Sequence, residues 1–289
     1  MPDRPRTRPF IPRVSLLFDF DQTLATHSLD AIPAVWGLSQ EEWRERFERP
    51  LGARWDEILR HGRALLDAGQ AMGRPVSDAL LREAAGNVEL YPGVLDMPER
   101  LRAVAREILP EIEVEFVVLS SGFATLIEAS GVMDAFDRLY ASTYHFAEDG
   151  PDGEHGEALC MKRAVTHAGK ALYLEAHAKN LDVDGANGPE NAGRPVPDED
   201  FHVPFEQLIY CGDGESDLQT FAFIERVGGI AVAVDGGDGG FDPDGLTREQ
   251  RVENVVPPDY SPGGATLEKL AHAVRIGASR AALRKGGDT

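Results

Sequence analysis

Two carboxylates separated by one residue, Asp19 and Asp21, follow the apolar run at 14–18. Such a run reads as a strand buried on both faces. Side chains alternate along an extended chain, so the two acids point together into the crevice beyond the strand's carboxyl end, where open α/β sheets bind ligands. Like charges that close raise one pKa unless a cation lies between them, so the pair implies either a shared proton or a divalent metal. An Asp-x-Asp after a strand can equally be a helix-capping turn. The two readings separate on what the rest of the chain supplies.

Three more groups with chemical potential fall at element ends. Ser120-Ser121-Gly122-Phe123 follows a second apolar run at 114–119, Lys170 opens the helical run at 171–178, and Gly212-Asp213-Gly214-Glu215-Ser216-Asp217 follows a short strand at 207–211. In a parallel sheet these ends face one crevice, so residues far apart in sequence converge there. Lys162 and Lys179 compete with Lys170. Lys170 is preferred because it follows Gly169 at a helix start, whereas Lys179 lies two turns later and Lys162 within a strand.

The elements that position these groups follow from periodicity. Ser39 with Glu42 forms a capping box ahead of Trp43 and Phe47, which lie four apart on one face. Leu51, Trp55, Ile58, Leu59, Leu65 and Leu66 keep helical spacing to Gly69, and a third helix runs from Ser77 to the break at Gly86. Residues 29–88 therefore read as an all-helical insert. Downstream come a helix at 96–109 stopped by Pro110, a strand at 138–146, an extended segment at 158–166, a strand at 230–234 and a final amphipathic helix at 266–283 whose apolar face carries Leu267, Leu270, Ala271, Val274 and Ile276. Residues 182–202 and 236–244, rich in Gly, Pro, Asn and Asp, read as surface loops, as does the acidic turn at 148–156. Strands alternating with helices predict an α/β fold, a Rossmann-like doubly wound, mostly parallel sheet with helices on both faces.

The sequence Asp19-Phe20-Asp21-Gln22-Thr23-Leu24, a strand ending in Ser120, Lys170 before a helix and Gly212 to Asp217 together resemble the four motifs of the haloacid dehalogenase (HAD) superfamily of phosphoryl-transfer enzymes. Ser120-Ser121-Gly122-Phe123 and the place of the helical insert look most like its phosphoserine phosphatase-like branch. The resemblance covers nearly the whole chain apart from the basic N-terminal arm and the loops at 182–202 and 236–244. It implies a core domain at 1–28 and 89–289 and a helical cap domain at 29–88. It gives Asp19 the role of nucleophile, forming an aspartyl-phosphate, and Asp21 that of general acid and then base. Mg2+ is the implied cofactor, held by Asp19, the backbone carbonyl of Asp21 and Asp213, with Asp217 direct or through water, while Glu215 reads equally as support through water or as a solvated residue of the turn. Ser120 and Lys170 would hold the phosphoryl group, joined by backbone N–H groups near Ser121 and Gly122. From the cap, His27, Trp36, Trp43, Arg44, Arg54 and Trp55 could face the site, although the Trp residues suit the cap's own core.

Asp21 also discriminates among relatives, since members that cleave carbon–halogen or carbon–phosphorus bonds lack an acid there. The expected activity is a Mg2+-dependent phosphatase acting on a small phosphorylated metabolite, phosphoserine-like or sugar phosphate. A phosphomutase or phosphotransferase would use the same acids, and a non-catalytic metal-binding module would be expected to have lost one of them. The 289 residues carry 29 basic and 49 acidic side chains, a formal charge of −20, which argues against nucleic acid and anionic membrane as partners. Two cysteines, Cys160 and Cys211, make a disulfide framework unlikely and a reducing, cytoplasmic setting the default. The arginine-containing start lacks an apolar segment and reads as no signal peptide, and no run is long enough for a membrane span.

Overall fold

The computed structural model describes residues 8–147, 156–183, 189–214, 216–235 and 252–287. Glu215, the loop expected at 236–244, nearly all of the acidic turn and the start of the N-terminal arm lie outside them. The strands are β1 (Arg13–Phe18), β2 (Glu113–Phe123), β3 (Arg138–Phe146), β4 (Ala158–Arg163), β5 (Leu208–Gly212), β6 (Ile230–Val234) and β7 (Asn254–Val256), in the order β4-β3-β2-β1-β5-β6-β7. β1 is buried from Val14 to Phe18, with Ser15 the one polar residue there, because it has a parallel strand on each side, Phe18 lying opposite both Val118 and Cys211. From β1 the sheet grows one way through β2 to β4, then the other way through β5 to β7. The strand order therefore reverses between β1 and β5, and a crevice opens at their carboxyl ends.

Between β1 and β2 stand α1 (Ser28–Val35), α2 (Gln40–Trp43), α3 (Glu57–Ala71), α4 (Asp78–Ala85) and α5 (Met97–Ile108). Later come α6 (Ala124–Ala129), α7 (Lys170–Ala178), α8 (Leu218–Val227) and α9 (Ala265–Ala282). Successive residues of β1 serve opposite layers. Leu16 and Phe18 join Met97, Leu101, Leu270 and Val274 of α5 and α9, while Leu17 joins Leu174, Phe221 and Ile224 of α7 and α8. Each fully buried Leu or Phe contributes about 1.5–3 kcal/mol relative to exposure.

The first four helices build a third apolar cluster of Ile32, Trp43, Leu65 and Leu81, closed underneath by Phe123 and Tyr144 of the sheet. The rings of Phe123 and Tyr144 stack at 4.6 Å, and the Tyr144 hydroxyl donates to Gly62 O at 3.0 Å. Gly62 lets α3 lie against β4, since a Cβ there would stand 2.1 Å from Met161 Sδ. The capping box at Ser39 and Glu42 is present, and Ser77 caps α4.

Several expectations change. The spacing from Leu51 to Gly69 is not one helix: a π-helical turn (Arg44–Glu48) and a 3-10 turn (Arg49–Leu51) end at Gly52, whose φ is +79°. α3 restarts where the Asp56 carboxylate accepts the N–H groups of Ile58 and Leu59. That restart leaves Trp55 and Leu59 exposed. β2 runs on through Ser120 to Phe123 with an irregular register, and α6 is only six residues long. β4 is antiparallel to β3, β7 was not foreseen, and Ile276 faces outward on α9 while Ala273 and Ala278 face in. Part of the expected surface loop at 182–202 is packed, with Val183 and Ala192 buried against the α7 side of the sheet. Among the described residues no helix is long and apolar enough to cross a membrane.

Candidate active site

The end of β1 is clamped before its acids are presented. Asp19 N donates to Cys211 O at 2.9 Å, and the chain turns through Gln22, a non-glycine residue at φ +56°. Tyr91 donates to Gln22 Oε1 at 3.1 Å, and Tyr260 to Thr23 O at 2.8 Å, which offsets the strain of that turn. Asp19 is buried and Asp21 half-buried. Asp21 Oδ1 accepts the Ser28 N–H at the start of α1, with His27 Nδ1 at 3.8 Å.

Lys170 is fully buried, its Nζ 2.9 Å from Asp19 Oδ1, 2.7 Å from Asp217 Oδ1 and 3.0 Å from Ser216 Oγ. Its rivals are elsewhere: Lys162 is exposed on β4, and Lys179 binds Glu175 Oε1 and the carbonyls of Ala192 and Arg194. Ser216 also donates to Asp19 Oδ2 at 3.3 Å, and Tyr210 OH to Asp217 Oδ1 at 2.6 Å.

Asp213 leaves β5 and Asp217 stands at the head of α8, so both reach the crevice beside Asp19. One oxygen from each of Asp19, Asp213 and Asp217 lies within 4.8 Å of the others. Asp213 Oδ1 and Asp217 Oδ2 are buried without a hydrogen-bond partner. Burial, with Asp217 and Asp21 adding to it and Lys170 opposing, pushes the Asp19 carboxyl up to about 7. Burial and then the neighbouring charges of Asp19 and Asp217 push Asp213 up to about 9. Burial alone would lower Lys170, but Asp19 and Asp217 outweigh it and hold the ammonium above its ordinary value. Four acids thus face one ammonium, with two buried oxygens unpartnered. These hard oxygen donors fit a small divalent cation, which Asp19, Asp213 and Asp217 would hold.

The Ser120 side chain is fully buried, and its Oγ accepts the Gly122 N–H at 2.9 Å. That N–H, expected to be open to a phosphate, is therefore engaged internally, because β2 continues irregularly through this turn. Ser121 and Gly122 reach the wall of the crevice, and Ser121 Oγ is unpartnered. A Cβ at Gly122 would meet Ser120 Oγ at 3.2 Å, Ser28 Oγ at 3.3 Å and Asp21 Oδ2 at 3.4 Å.

A cavity of about 880 Å³ lies over these groups and is bounded from the helical side. Of the cap residues named from sequence, His27 and Arg44 line it. Trp43 is buried among the helices, Trp36 donates to Arg74 O, and Trp55 and Arg54 are exposed, off the wall. Glu48, Arg60 and His61 line the cavity and were missed. Glu48 Oε1 lies 3.0 Å from both Arg60 Nε and His61 Nε2, and burial lowers the His61 pKa despite Glu48. No role was read for Tyr210, which precedes the fourth motif, or for Ser216, which lies within it.

A second set of potential metal ligands, Glu115, His177 and His202, meets at the amino ends of the strands. Arg138 and Ser15 donate to Glu115, and His202 Nε2 lies 2.7 Å from Glu115 Oε2, with His177 Nε2 at 3.3 Å. Arg13 donates to His202 Nδ1 at 2.8 Å, so the His202 proton sits on Nε2 and is given to Glu115. Burial opposes the Glu115 charge, but His177 and His202 beside it hold its carboxyl well below the usual range. Two guanidiniums and a proton already occupy the places a cation would need.

The strand order, the crevice at its reversal and the acids it gathers define the α/β fold of the HAD superfamily, in the form found in phosphoserine phosphatases. A HAD family hydrolase from Salmonella enterica subsp. enterica serovar Typhi superposes with a TM-score of 0.55 at 15% identity, covering 93% of this chain and 73% of that one. A substrate-bound phosphoserine phosphatase complex gives 0.53 at 16%, covering 86% and 94%. A phospho-aspartyl intermediate analogue of phosphoserine phosphatase gives 0.51 at 15%, covering 86% and 95%. At these identities the likeness is one of fold. No protein-family model matches the chain, and no curated protein matches it in sequence.

Proposed function

We propose that this chain is a Mg2+-dependent phosphatase that hydrolyses a small phosphomonoester through an aspartyl-phosphate on Asp19. The observation that carries the reading is the meeting of Asp19, Lys170, Asp213 and the buried Asp217 at the floor of one cavity, which Asp21 also lines. Asp19 Oδ1 is fixed by Lys170 and its Oδ2 by Ser216, which aims the carboxylate for attack on phosphorus, and the Lys170 charge opposes the burial that favours its protonated form. Asp21, tethered through Oδ1 to Ser28 N, offers its other oxygen to protonate the leaving alkoxide and then to take a proton from water. Lys170 offsets charge on the phosphoryl group, and Ser121 Oγ, unpartnered on the wall, joins Ser120 as a hydroxyl for its oxygens. A bound Mg2+ supplies charge neutralisation between phosphate and the acids. The fold shared with a phospho-aspartyl intermediate analogue of phosphoserine phosphatase supports the covalent route.

Within this reading residues 29–88 are a cap that shields the cavity from water and contributes substrate contacts, and 1–28 with 89–289 form the core. The excess of acidic residues favours a metabolite over nucleic acid or membrane as partner, and two free cysteines, one exposed, suit a reducing cytoplasm. The test is phosphate release from an aryl phosphate and a panel of phosphorylated metabolites, with and without Mg2+. Turnover that needs Mg2+ and falls by on the order of 10⁴-fold or more in Asp19→Asn is expected. Turnover that survives in Asp19→Asn would remove the aspartyl-phosphate route.

A further inference from the structure

Tyr210 lies on β5 three residues before Asp213 and is fully buried. Its ring packs edge-on to Phe221 at 5.9 Å, a place that phenylalanine would fill equally well. A buried phenol needs a partner, and this one donates to Asp217 Oδ1 at 2.6 Å. Lys170 Nζ lies 2.7 Å and Ser216 Oγ 3.4 Å from that oxygen, so among the described residues the groups around Asp217 gather on Oδ1 while Oδ2 has none. The other flank is set by Gly212, two residues along the same face of β5, where a Cβ would stand 1.9 Å from Asp217 Oδ2. One strand thus brackets one carboxylate, with a hydroxyl at one oxygen and bare backbone at the other.

We propose that Tyr210 is a positioning residue for the divalent-cation site: its hydroxyl turns Asp217 so that Oδ1 takes the protein's donors and Oδ2 is left for the ion beside Asp19 and Asp213. The inference deepens the phosphatase reading and rests on it only for the kinetic arm of its test. Tyr210 also shares Asp217 with Lys170. Without the phenol the ammonium is drawn toward Asp217 and away from Asp19.

The experiment is Mg2+ titration of the full chain by calorimetry, for wild type, Tyr210→Phe and Tyr140→Phe. Tyr140 is a buried tyrosine whose hydroxyl lies 3.1 Å from His177 Nδ1, at the opposite end of the strands, and it controls for loss of any buried phenol. Tyr210→Phe is expected to weaken Mg2+ binding by about tenfold, as loss of an outer hydrogen bond to a ligand does, while Tyr140→Phe leaves it unchanged. In turnover, Tyr210→Phe should lose rate at limiting Mg2+ and regain it in excess, which a packing defect would not do. Wild-type Mg2+ affinity in Tyr210→Phe would overturn the inference and leave the phosphatase reading standing. No Mg2+ binding by the wild type would overturn both.

Discussion

α7 links two ionic clusters that obey opposite rules. Its first residue, Lys170, belongs to the acids at the carboxyl ends of the strands, and His177, seven residues or about 10 Å on, belongs to the Glu115 group at their amino ends. In the first cluster acids outnumber the ammonium, two buried oxygens go without partners, and the Asp19 and Asp213 carboxyls are pushed up. In the second, one carboxylate is surrounded by two imidazoles, a guanidinium and a hydroxyl, and its pKa is pushed down. The same residue types therefore make a brace where charges balance and leave a surplus of buried negative charge where they do not. In the proposed reading that imbalance, more than the presence of acids, is what a cation and a phosphate would answer.

The largest contrast is expected from the lysine. Lys170→Met should lower kcat by about 10²–10³-fold, read as phosphate release at saturating Mg2+. Glu115→Gln should do the reverse, leaving kcat unchanged while costing about 3 kcal/mol in urea denaturation, because Arg138 and two imidazoles lose their shared partner. A fall in kcat without loss of stability in Glu115→Gln would erase the distinction between the clusters.

Acidity gives the smaller, sharper contrast. Asp19 and Asp213 have folded values of about 7 and about 9 against an ordinary 3.8, so between those limits the folded, cation-free protein binds more protons there than the unfolded chain. Their contribution to the stability of that form falls as pH rises from 4 toward 9, and above 6.5 the lowered values of His61 and His177 no longer oppose it. Glu115 has the opposite sign: its folded value lies below the ordinary 4.5, so its contribution is complete above 4.5 and is lost on acidification through the folded value. Melting temperatures without Mg2+ should therefore decline toward alkaline pH. Mg2+ should remove the decline, and Asp213→Asn should flatten it without metal. A cation-free melting curve that rises from pH 7 to 9 would contradict the assignment of surplus charge to this cluster.

The cluster was legible where it is local. Asp19 and Asp21 are two residues apart after an apolar run, Asp213 and Asp217 share one short motif, and Lys170 opens a helix, so residue type and element end suffice to single them out. The cavity's cap wall was not legible. Apolar spacing through residues 51–69 suggests one continuous helix, but the π-helical turn, Gly52 and the Asp56 cap shift the frame, exposing Trp55 and bringing Glu48, Arg60 and His61 to the wall. Tyr210 reads as one more apolar strand residue, and β7 is too short for its period to show.

By itself the sequence determined the alternation of strands and helices, the burial of β1 on both faces and the acids and lysine at the element ends, because each depends on neighbours within a few residues. Only the tertiary structure decided that the strand order reverses between β1 and β5, that β4 runs antiparallel, and that Gly122 N turns inward to Ser120. It also decided which oxygens of Asp213 and Asp217 are left without partners. Those outcomes depend on pairing between segments as far apart as Asp19 and Asp217, whose charges acquire their meaning only when burial removes the water between them.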